Sequence, residues 1–214
     1  MGRLYEATFG RVWTAVYDRA LKGTEDAGLR ETRREALRTA RGRTIDLGAG
    51  TGANLELYPD AVTELVFSEP DPHMAKQLRR KLAASGRVGE LVEAPAERLP
   101  FADSSFDTAV FTLVLCTVPD PAAALAEAAR VLKPGGRLLF VEHVRAEDPG
   151  LARWQDRLEG PWRFLGYGCH CNRDTLAAIE ASPLELEEVK HGRLPKAPPI
   201  VRPLVHGSAL FNAR

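Results

Sequence analysis

Hydrophobic residues follow two different periods along the chain, and the change of period predicts its elements. In the first forty residues apolar side chains recur every three or four positions, as Phe9, Trp13 and Tyr17 do, which predicts helices. From Thr44 onward, short runs rich in β-branched residues alternate with helical segments. The predicted strands are "TIDL", "ELVFSEP", "RVGELVEA", "FDTAVFTLVLC", "RLLFVEHV", "LEEVKHGRL" and "HGSALFNA". Strands that alternate with helices are typical of parallel βαβ units in a doubly wound α/β sheet.

Three further segments between the strands predict helices, and one predicts a turn. "HMAKQLRRKLAAS" and "DPAAALAEAARVL" have helical spacing, and the second begins with Asp120 as its cap and Pro121 at its first position. "RDTLAAIEA" is predicted to be a helix capped by Asn172. "KPGG" predicts a turn directly before the fifth strand.

Composition excludes several classes of protein before any motif is considered. The 214 residues include 29 basic and 29 acidic side chains, so no net charge attracts nucleic acid or anionic lipid. Three unevenly spaced cysteines are too few for a disulfide framework, which favours a reducing compartment. The longest apolar run, residues 109–118, is far below the ~18 residues that span a bilayer. We therefore expect a soluble cytoplasmic protein without a nucleic-acid partner or an integral membrane segment, and its oligomeric state stays open.

The loop after the first strand, "DLGAGTG", predicts a nucleotide-like ligand. Its alternating glycines, Gly48, Gly50 and Gly52, fit both the dinucleotide fingerprint of NAD enzymes and a loop that holds S-adenosylmethionine. Asp46 separates the two, because a carboxylate beside this loop repels a pyrophosphate and favours a ligand with ammonium and sulfonium groups. A structural hydrogen-bonding role for Asp46 is the alternative. The loop favours S-adenosylmethionine.

Other polar residues follow the neighbouring strands, whose carboxyl ends meet at the ligand-binding edge of such a sheet. Glu69 comes nineteen residues after Gly50 (69 − 50), where an acid can accept hydrogen bonds from both hydroxyls of a ribose. Both NAD and S-adenosylmethionine contain that ribose, so Glu69 predicts a nucleoside without choosing between them. The remaining strand ends supply residues 95–97, residues 112–116, and Glu142 with His143.

Four segments resemble those of class I S-adenosylmethionine-dependent methyltransferases, above all the quinone-biosynthesis C-methyltransferases. They are "IDLGAGTG", "SEPD", "APAERLPFADSSFDTAVFTLVL" and "EAARVLKPGGRLLFVEH", and they lie within residues 45–144. A narrower resemblance, to methyltransferase-like proteins that methylate alkyl thiols, rests on "TGANLELYP", "TLVLCTV", "FVEHV", "GPWRFLGYGCHCNRDTLAAIE" and "VRPLVHG". The resemblance implies a Rossmann-like, doubly wound, mostly parallel seven-stranded sheet with an antiparallel last strand, helices on both faces and an N-terminal helical lid.

The resemblance also implies a division of the chain and a set of cofactor residues. Residues 1–214 would form one domain, with a helical cap (1–42), a cofactor-binding core (43–144) and a substrate-side segment (145–214). The predicted S-adenosylmethionine residues are Asp46, Gly48, Ala49, Gly50, Gly52, Asn54, Glu69, Pro70, Ala96, Glu97, Thr112 and Leu113. Pro95 stands where many relatives have an Asp that accepts from the adenine amino group, so another acceptor such as Glu97 is needed.

The expected reaction is methyl transfer to a small molecule, with a thiol as the first acceptor. Methyl transfer from a sulfonium depends chiefly on alignment, and a thiol with a pKa of about 8.5 ionises readily. The alternative acceptor is carbon, nitrogen or oxygen of a quinone, phenol or lipid head group. A NAD-dependent oxidoreductase and a non-catalytic cofactor-binding protein are less favoured. His143 and His170 are the candidate general bases, and a structural role for His143 is equally open.

Aromatic residues are expected to line an apolar substrate pocket, with plain core packing as the alternative. The predicted pocket residues are Phe9, Trp13, Tyr17, Cys116, Trp162 and Tyr167, and Trp154 and Phe164 belong to the same aromatic group. For Cys116 a small buried core residue is the favoured interpretation. Cys169, His170 and Cys171 are contiguous and have no second ligand cluster with suitable spacing, so no metal site is predicted.

Overall fold

The computed structural model describes residues 11–212, and the side chains of residues 11–16 and 20 lie outside that description. The predictions for Phe9 and for the Trp13 side chain therefore fall outside the described residues. The strands of the described chain are β1 (Gly42–Leu47), β2 (Val62–Ser68), β3 (Glu90–Val92), β4 (Phe106–Thr112), β5 (Leu132–His143), β6 (Glu185–Arg193) and β7 (Pro203–Leu210). They form one seven-stranded sheet in the order β3-β2-β1-β4-β5-β7-β6.

The pairing of the strands confirms the predicted fold class. β1 pairs in parallel with β2 and with β4, and β4 pairs in parallel with β5. β7 pairs antiparallel with β5 on one side and with the edge strand β6 on the other. Strand order reverses beside β1, so the carboxyl ends of β1, β2 and β4 frame the crevice in which such sheets bind ligands.

The helices surround this sheet and begin at recognisable caps. They are α1 (Arg11–Thr24), α2 (Arg30–Leu37), α3 (Pro72–Ser85), α4 (Pro121–Val131), α5 (Pro149–Leu165) and α6 (Thr175–Glu180), with a π-helical turn at Glu25–Leu29 and a 3₁₀ turn at Pro199–Val201. Asp71, Asp120 and Asp148 cap α3, α4 and α5, and a proline follows each cap. The missing N–H of proline is harmless at a first helical position, so this pair starts a helix well.

The prediction that Asn172 caps the helix "RDTLAAIEA" is wrong. Helix α6 begins at Thr175, and the side chain of Asp174 accepts a hydrogen bond from Ala177 N. A cap must directly precede the first helical residue, and Asn172 lies two positions too early. Its amide instead donates to Asp156 Oδ1 at 3.0 Å, which ties the turn before α6 to α5.

Two element boundaries also differ from the predicted ones, and one helix was not predicted. The "KPGG" segment lies inside β5, where Phe106 pairs with Leu132 and Thr108 pairs with Arg137, so the residues between bulge out. β4 ends at Thr112 because Leu113 has a left-handed conformation (φ 59°) that turns the chain. No element was predicted for α5, whose sequence contains Gly160 and Pro161 and so lacks an uninterrupted helical signal.

The core lies on both faces of the sheet. Fully buried phenylalanines from β2, β4 and β5 are the largest core side chains: Phe67, Phe106, Phe111 and Phe140. None of the helices among the described residues has the length and apolar character that crossing a membrane requires.

Candidate functional site

A cavity of about 800 Å³ opens at the carboxyl ends of β1, β2 and β4. It lies where the strand order reverses, which is the expected ligand position in this fold. A smaller cavity of about 270 Å³ lies against α2, β6 and β7, and charged side chains that pair with one another line it, such as Lys190 and Glu35. The larger cavity is therefore the candidate site.

The glycine loop, residues 48–52, forms one border of the cavity. All three of its glycines have left-handed conformations, with φ of 62°, 56° and 84°. A Cβ on Gly48 would lie 2.6 Å from Val114 Cγ1, and a Cβ on Gly52 would lie 2.6 Å from Leu78 Cδ1. A Cβ on Gly50 would meet only Met74 Sδ, at 3.8 Å. Gly48 and Gly52 thus permit close packing, whereas Gly50 leaves open space beside the cavity.

Glu69 connects β2 to this loop. Its Oε2 accepts a hydrogen bond from Gly50 N at 2.7 Å, and its Oε1 accepts from Asp71 N at 2.8 Å. Burial raises the pKa of Glu69 to about 7, although both backbone donors act to lower it. Each carboxylate oxygen has a second lone pair, so Glu69 can still accept from two hydroxyls of a ligand.

Asp46 lies behind the glycine loop and is not among the described residues that line the cavity. It is 1% exposed, and burial raises its pKa to about 6. Asn54 Nδ2 donates to Asp46 Oδ2 at 3.0 Å and to Thr112 Oγ1 at 2.9 Å, while Arg33 Nη1 donates to Asn54 Oδ1 at 3.1 Å. Asp46 Oδ1 makes no hydrogen bond of good geometry with the described residues. Asp46 thus fixes Asn54, which does line the cavity, and the buried Tyr58 hydroxyl lies beside the same carboxylate.

Most of the predicted cofactor residues lie together around this cavity. Those among its described lining residues are Gly48, Ala49, Gly50, Asn54, Glu69, Pro70, Ala96, Glu97, Thr112 and Leu113. Asp46 and Gly52 lie behind them. Pro95 also lines the cavity, and the neighbouring Glu97 Oε1 accepts from Asp120 N at 3.3 Å. An acid for a ribose, a carboxylate behind the loop and an apolar border after β3 fit S-adenosylmethionine.

The predicted substrate residues divide into two groups. Tyr17 and Tyr167 line the cavity, whereas Cys116 and Trp162 are not among its described lining residues. Burial raises the pKa of Tyr17 to about 12, so its hydroxyl stays protonated at neutral pH. Tyr167 OH donates to Asp71 Oδ2, the cap of α3, and so joins the segment after α5 to the cofactor side.

Trp154 and Phe164, expected from the sequence to line the pocket or to pack in the core, do neither. Trp154 and Phe164 are 55% and 53% exposed on α5, and neither is among the described lining residues. Residues that sequence reasoning missed also line the cavity: Arg33, Thr117, Val118 and Pro119. Arg33 belongs to a charged helix, and nothing in its sequence context distinguishes it from the exposed arginines nearby.

The two candidate bases lie outside the described lining. His143 is 4% exposed, and its Nε2 lies 2.8 Å from Cys169 Sγ. Burial lowers the pKa of His143, but the neighbouring Cys169 sulfur outweighs that effect and raises it overall. His170 Nδ1 lies 2.8 Å from Glu159 Oε1, and burial lowers its pKa. A role of either histidine as a base stays a prediction.

Cys116, His143 and Cys169 form a buried cluster that we call the Cys2His cluster. Their side-chain sulfur and nitrogen atoms lie within 4.8 Å of one another. Trp162 Nε1 also donates to Cys169 Sγ, at 3.1 Å. Hydrogen bonding from Cys116 lowers the pKa of Cys169 well below its usual value, and the same bond raises that of Cys116. Sequence spacing could not reveal the cluster, because its members lie 27 (143 − 116) and 26 (169 − 143) residues apart.

Glu142 holds the loop that follows β4. Its side chain is fully buried, and Oε1 accepts from Val114 N at 2.8 Å and from Leu115 N at 3.1 Å. Burial raises the pKa of Glu142 to about 7. Because Val114 and its neighbours line the cavity, Glu142 shapes the site from behind.

Comparison with known proteins gives consistent matches. A methyltransferase domain family matches residues 45–140. The chain is 38% identical over 175 residues to the thiol S-methyltransferase TMT1B of Homo sapiens, a match that covers 78% of this chain and 69% of that protein. The human thiol S-methyltransferase TMT1A is 34% identical over 170 residues, with the same two coverages. Against rat TMT1B the chain spans only 57% of the relative's length.

Other matches are shorter or more distant. The ubiquinone/menaquinone biosynthesis C-methyltransferase UbiE of Marinomonas sp. is 37% identical over 118 residues, which cover 53% of this chain and 47% of that protein. A solved structure of an S-adenosylmethionine-dependent methyltransferase from Thermotoga maritima has a TM-score of 0.69 and 22% identity, and covers 97% of this chain and 98% of its own. At that identity the likeness shows the fold.

Proposed function

The chain belongs to the S-adenosylmethionine-dependent methyltransferases, in the family of the thiol S-methyltransferases, and from this membership we propose that it methylates the sulfur of a small thiol. The observation that supports the proposal most is the composition of the 800 Å³ cavity. It combines the predicted cofactor residues with an apolar set from the loop after β4, including Val118 and Pro119, and with Tyr17 and Tyr167.

The residues on the cofactor side of the cavity would bind S-adenosylmethionine and orient it. When bound, S-adenosylmethionine supplies a methyl group that its sulfonium has already activated. Glu69 accepts hydrogen bonds from the ribose hydroxyls through the lone pairs that Gly50 N and Asp71 N leave open. The carboxylate of Asp46 places negative charge behind the glycine loop, which favours a cationic ligand over a pyrophosphate.

The acceptor side needs little acid–base chemistry. A thiol with an ordinary pKa of about 8.5 already provides some thiolate at neutral pH, and a nearby positive charge increases that fraction. The apolar residues would exclude water and help to align the acceptor for transfer. His73 is the one histidine among the described lining residues, and because the thiol ionises by itself, the proposed mechanism assigns no base to His143 or His170.

Coverage favours a thiol over a quinone or a lipid head group as the acceptor. The two human thiol S-methyltransferases match 78% of this chain, whereas the quinone C-methyltransferase matches 53%. Acceptor specificity comes from the segments outside the common cofactor core, so the longer match carries more information about the substrate.

The test is an acceptor screen with S-adenosylmethionine and matched panels of thiols, phenols and amines. We expect S-adenosylhomocysteine to form with apolar thiols, and thioether product to appear by mass spectrometry. Glu69→Ala removes the proposed ribose acceptor and should abolish most turnover. Glu64→Ala, which alters an exposed acid of β2, is the matched control. Turnover of phenols or amines without thiols would contradict the acceptor and leave the methyltransferase assignment intact.

We also propose that the enzyme acts in a reducing, cytoplasmic environment on a small molecule and not on nucleic acid. All three cysteines are free thiols, and basic and acidic side chains balance at 29 each. Cell fractionation with a marker for each compartment tests the location, and gel-shift titration with RNA and DNA tests the second part. Recovery in an oxidising compartment, or a salt-sensitive gel shift, would contradict the proposal.

A further inference from the structure

The Cys2His cluster plays no part in the methyl transfer described above, yet three separate segments build it. Cys116 comes from the loop after β4, His143 from the end of β5, and Cys169 from the turn after α5. The three side chains are 2%, 4% and 8% exposed. Burial of two thiols and an imidazole with their polar atoms turned toward one another is the arrangement expected of a ligand set.

We propose that Cys116, His143 and Cys169 bind one Zn²⁺ ion. Sulfur and imidazole nitrogen are the ligands that zinc prefers, and their atoms already lie within 4.8 Å of one another. The charges also balance, since two thiolates and a neutral imidazole cancel the charge of a divalent cation. A neutral complex can be buried without the large penalty that a net charge would incur.

The geometry requires only a small rearrangement. Bond lengths of about 2.3 Å to sulfur and about 2.0 Å to nitrogen place tetrahedral S and N ligands roughly 3.5 Å apart. His143 Nε2 and Cys169 Sγ lie 2.8 Å apart, so they must separate by about 0.7 Å. No described residue hydrogen-bonds to His143 Nδ1, so this small shift breaks no hydrogen bond on that side of the ring.

The surroundings fit a ligated thiolate. Trp162 Nε1 donates to Cys169 Sγ at 3.1 Å, and such outer donors orient the ligands and stabilise the negative sulfur. Three protein ligands leave a fourth position for water or another small donor, which is the arrangement of catalytic zinc sites. The ion would also tie together the loop after β4 and the turn after α5, two segments that border the cavity.

Cobalt substitution tests the site on the untagged full-length chain, independently of methyl transfer. The protein is reduced, freed of metal with a chelator and titrated with Co²⁺ and then with Zn²⁺. We expect thiolate-to-cobalt charge-transfer and tetrahedral d–d bands that saturate near one equivalent and disappear on addition of Zn²⁺. Cys116→Ser and Cys169→Ser should weaken Co²⁺ binding by about 100-fold or more, because each removes a direct ligand.

Cys171→Ser is the matched control. Cys171 is a buried cysteine of the same turn whose Sγ contacts Gln155 O, and it is outside the Cys2His cluster, so its variant should retain full cobalt binding. If either ligand variant fails to fold, the rise of the melting temperature with Zn²⁺ in wild type and in Cys171→Ser remains decisive. Absence of bands in wild type with all three thiols reduced would overturn the proposal, as would bands that persist in both ligand variants.

Discussion

At the residue scale, Glu69 serves both the fold and the ligand. Its two oxygens hold the backbone of Gly50 and Asp71, and the lone pairs left over face the cavity. Burial raises its pKa to about 7 from an ordinary 4.5, because the buried carboxylate has lost hydration. Hydroxyl donors of a ligand would stabilise the ionised form, so binding favours the carboxylate.

We predict that affinity for S-adenosylhomocysteine falls as the pH drops through about 7, because a protonated Glu69 is a poorer acceptor. Glu69→Gln should weaken binding by roughly 10- to 100-fold at pH 8 and flatten this pH profile, given about 1.5–3 kcal/mol for a hydrogen bond to a charged group. Isothermal titration calorimetry between pH 6 and about 8.5 measures both. Glu64→Gln, which alters an exposed residue of β2, should leave the pH profile as it is in wild type.

The sign for stability is opposite. The folded-state pKa of Glu69 lies above its unfolded value, so its stabilising contribution is full below pH 4.5 and is lost as the pH rises through about 7. Glu69→Gln should therefore remove part of the fall in unfolding free energy across that range. A variant that unfolds with the wild-type pH dependence would show that Glu69 does not titrate as described.

Glu142 allows a second prediction at this scale. Glu142→Gln keeps an oxygen that can accept from Val114 N and Leu115 N, so urea unfolding should change by less than about 1 kcal/mol. Glu142→Ala leaves both buried N–H groups without a partner and should lower the unfolding free energy by about 2–4 kcal/mol. Equal losses in the two variants would mean that the charge, and not the acceptor, holds the loop.

At the scale of elements, the three glycines of the loop after β1 have two different structural roles. Gly48 and Gly52 lack the room for a side chain, whereas Gly50 has it. The sequence alone presents the three as equivalent. Their separation comes from the packing of the loop against Val114 on one side and Leu78 of α3 on the other.

We predict that Gly48→Ala costs about 2–3 kcal/mol of unfolding free energy, because left-handed strain adds to a clash with Val114. Gly50→Ala should cost only about 1–2 kcal/mol, from the left-handed conformation alone, yet should weaken cofactor binding because its methyl group lies beside the cavity. Urea unfolding and a binding titration on both variants check the contrast. Equal losses of unfolding free energy in the two variants would contradict the view that Gly48, and not Gly50, is required for close packing.

At the scale of the whole molecule, one sheet joins the parts of the chain that the sequence divides into cap, core and substrate-side segment. β7, from the last part, pairs with β5 of the core and in turn carries β6, and α2 ends at Leu37, shortly before β1. Gln155 of α5 donates to Val144 O and to Ile200 O. These bonds link the end of the core to α5 and to the 3₁₀ turn, both in the substrate-side segment. We therefore propose that residues 1–214 unfold as one unit.

We predict a single calorimetric transition that S-adenosylhomocysteine shifts upward and NAD does not. At a ligand concentration of 100 times its Kd the stabilisation is about 2.7 kcal/mol, which corresponds to roughly 5–10 °C for a chain of this size. Two separate transitions would contradict the single unit. A shift with NAD alone would contradict the cofactor.

The sequence by itself determined the fold class and the class of cofactor. Strand periodicity predicts the parallel order, and Asp46, the glycines and Glu69 are local signals, since each follows directly from a strand end. The sequence did not predict that β4 ends before Leu113 or that "KPGG" bulges within β5. The left-handed conformation of Leu113 and the register shift in β5 depend on the neighbouring strands. Helix α5 was not predicted either, because Gly160 and Pro161 weaken its helical signal. Burial of Ala152 and Gln155 stabilises the helix in the folded protein.

Only the tertiary structure decided which side chains meet. It placed Asp46 behind the cavity, turned Trp154 and Phe164 toward solvent, and brought Arg33 of α2 to the site. It also assembled the Cys2His cluster from positions 116, 143 and 169, whereas the sequence, with Cys169, His170 and Cys171 adjacent, predicted no metal site. The physical reason is that a sheet brings strand ends together regardless of their separation along the chain, whereas sequence patterns report only what is near in the chain.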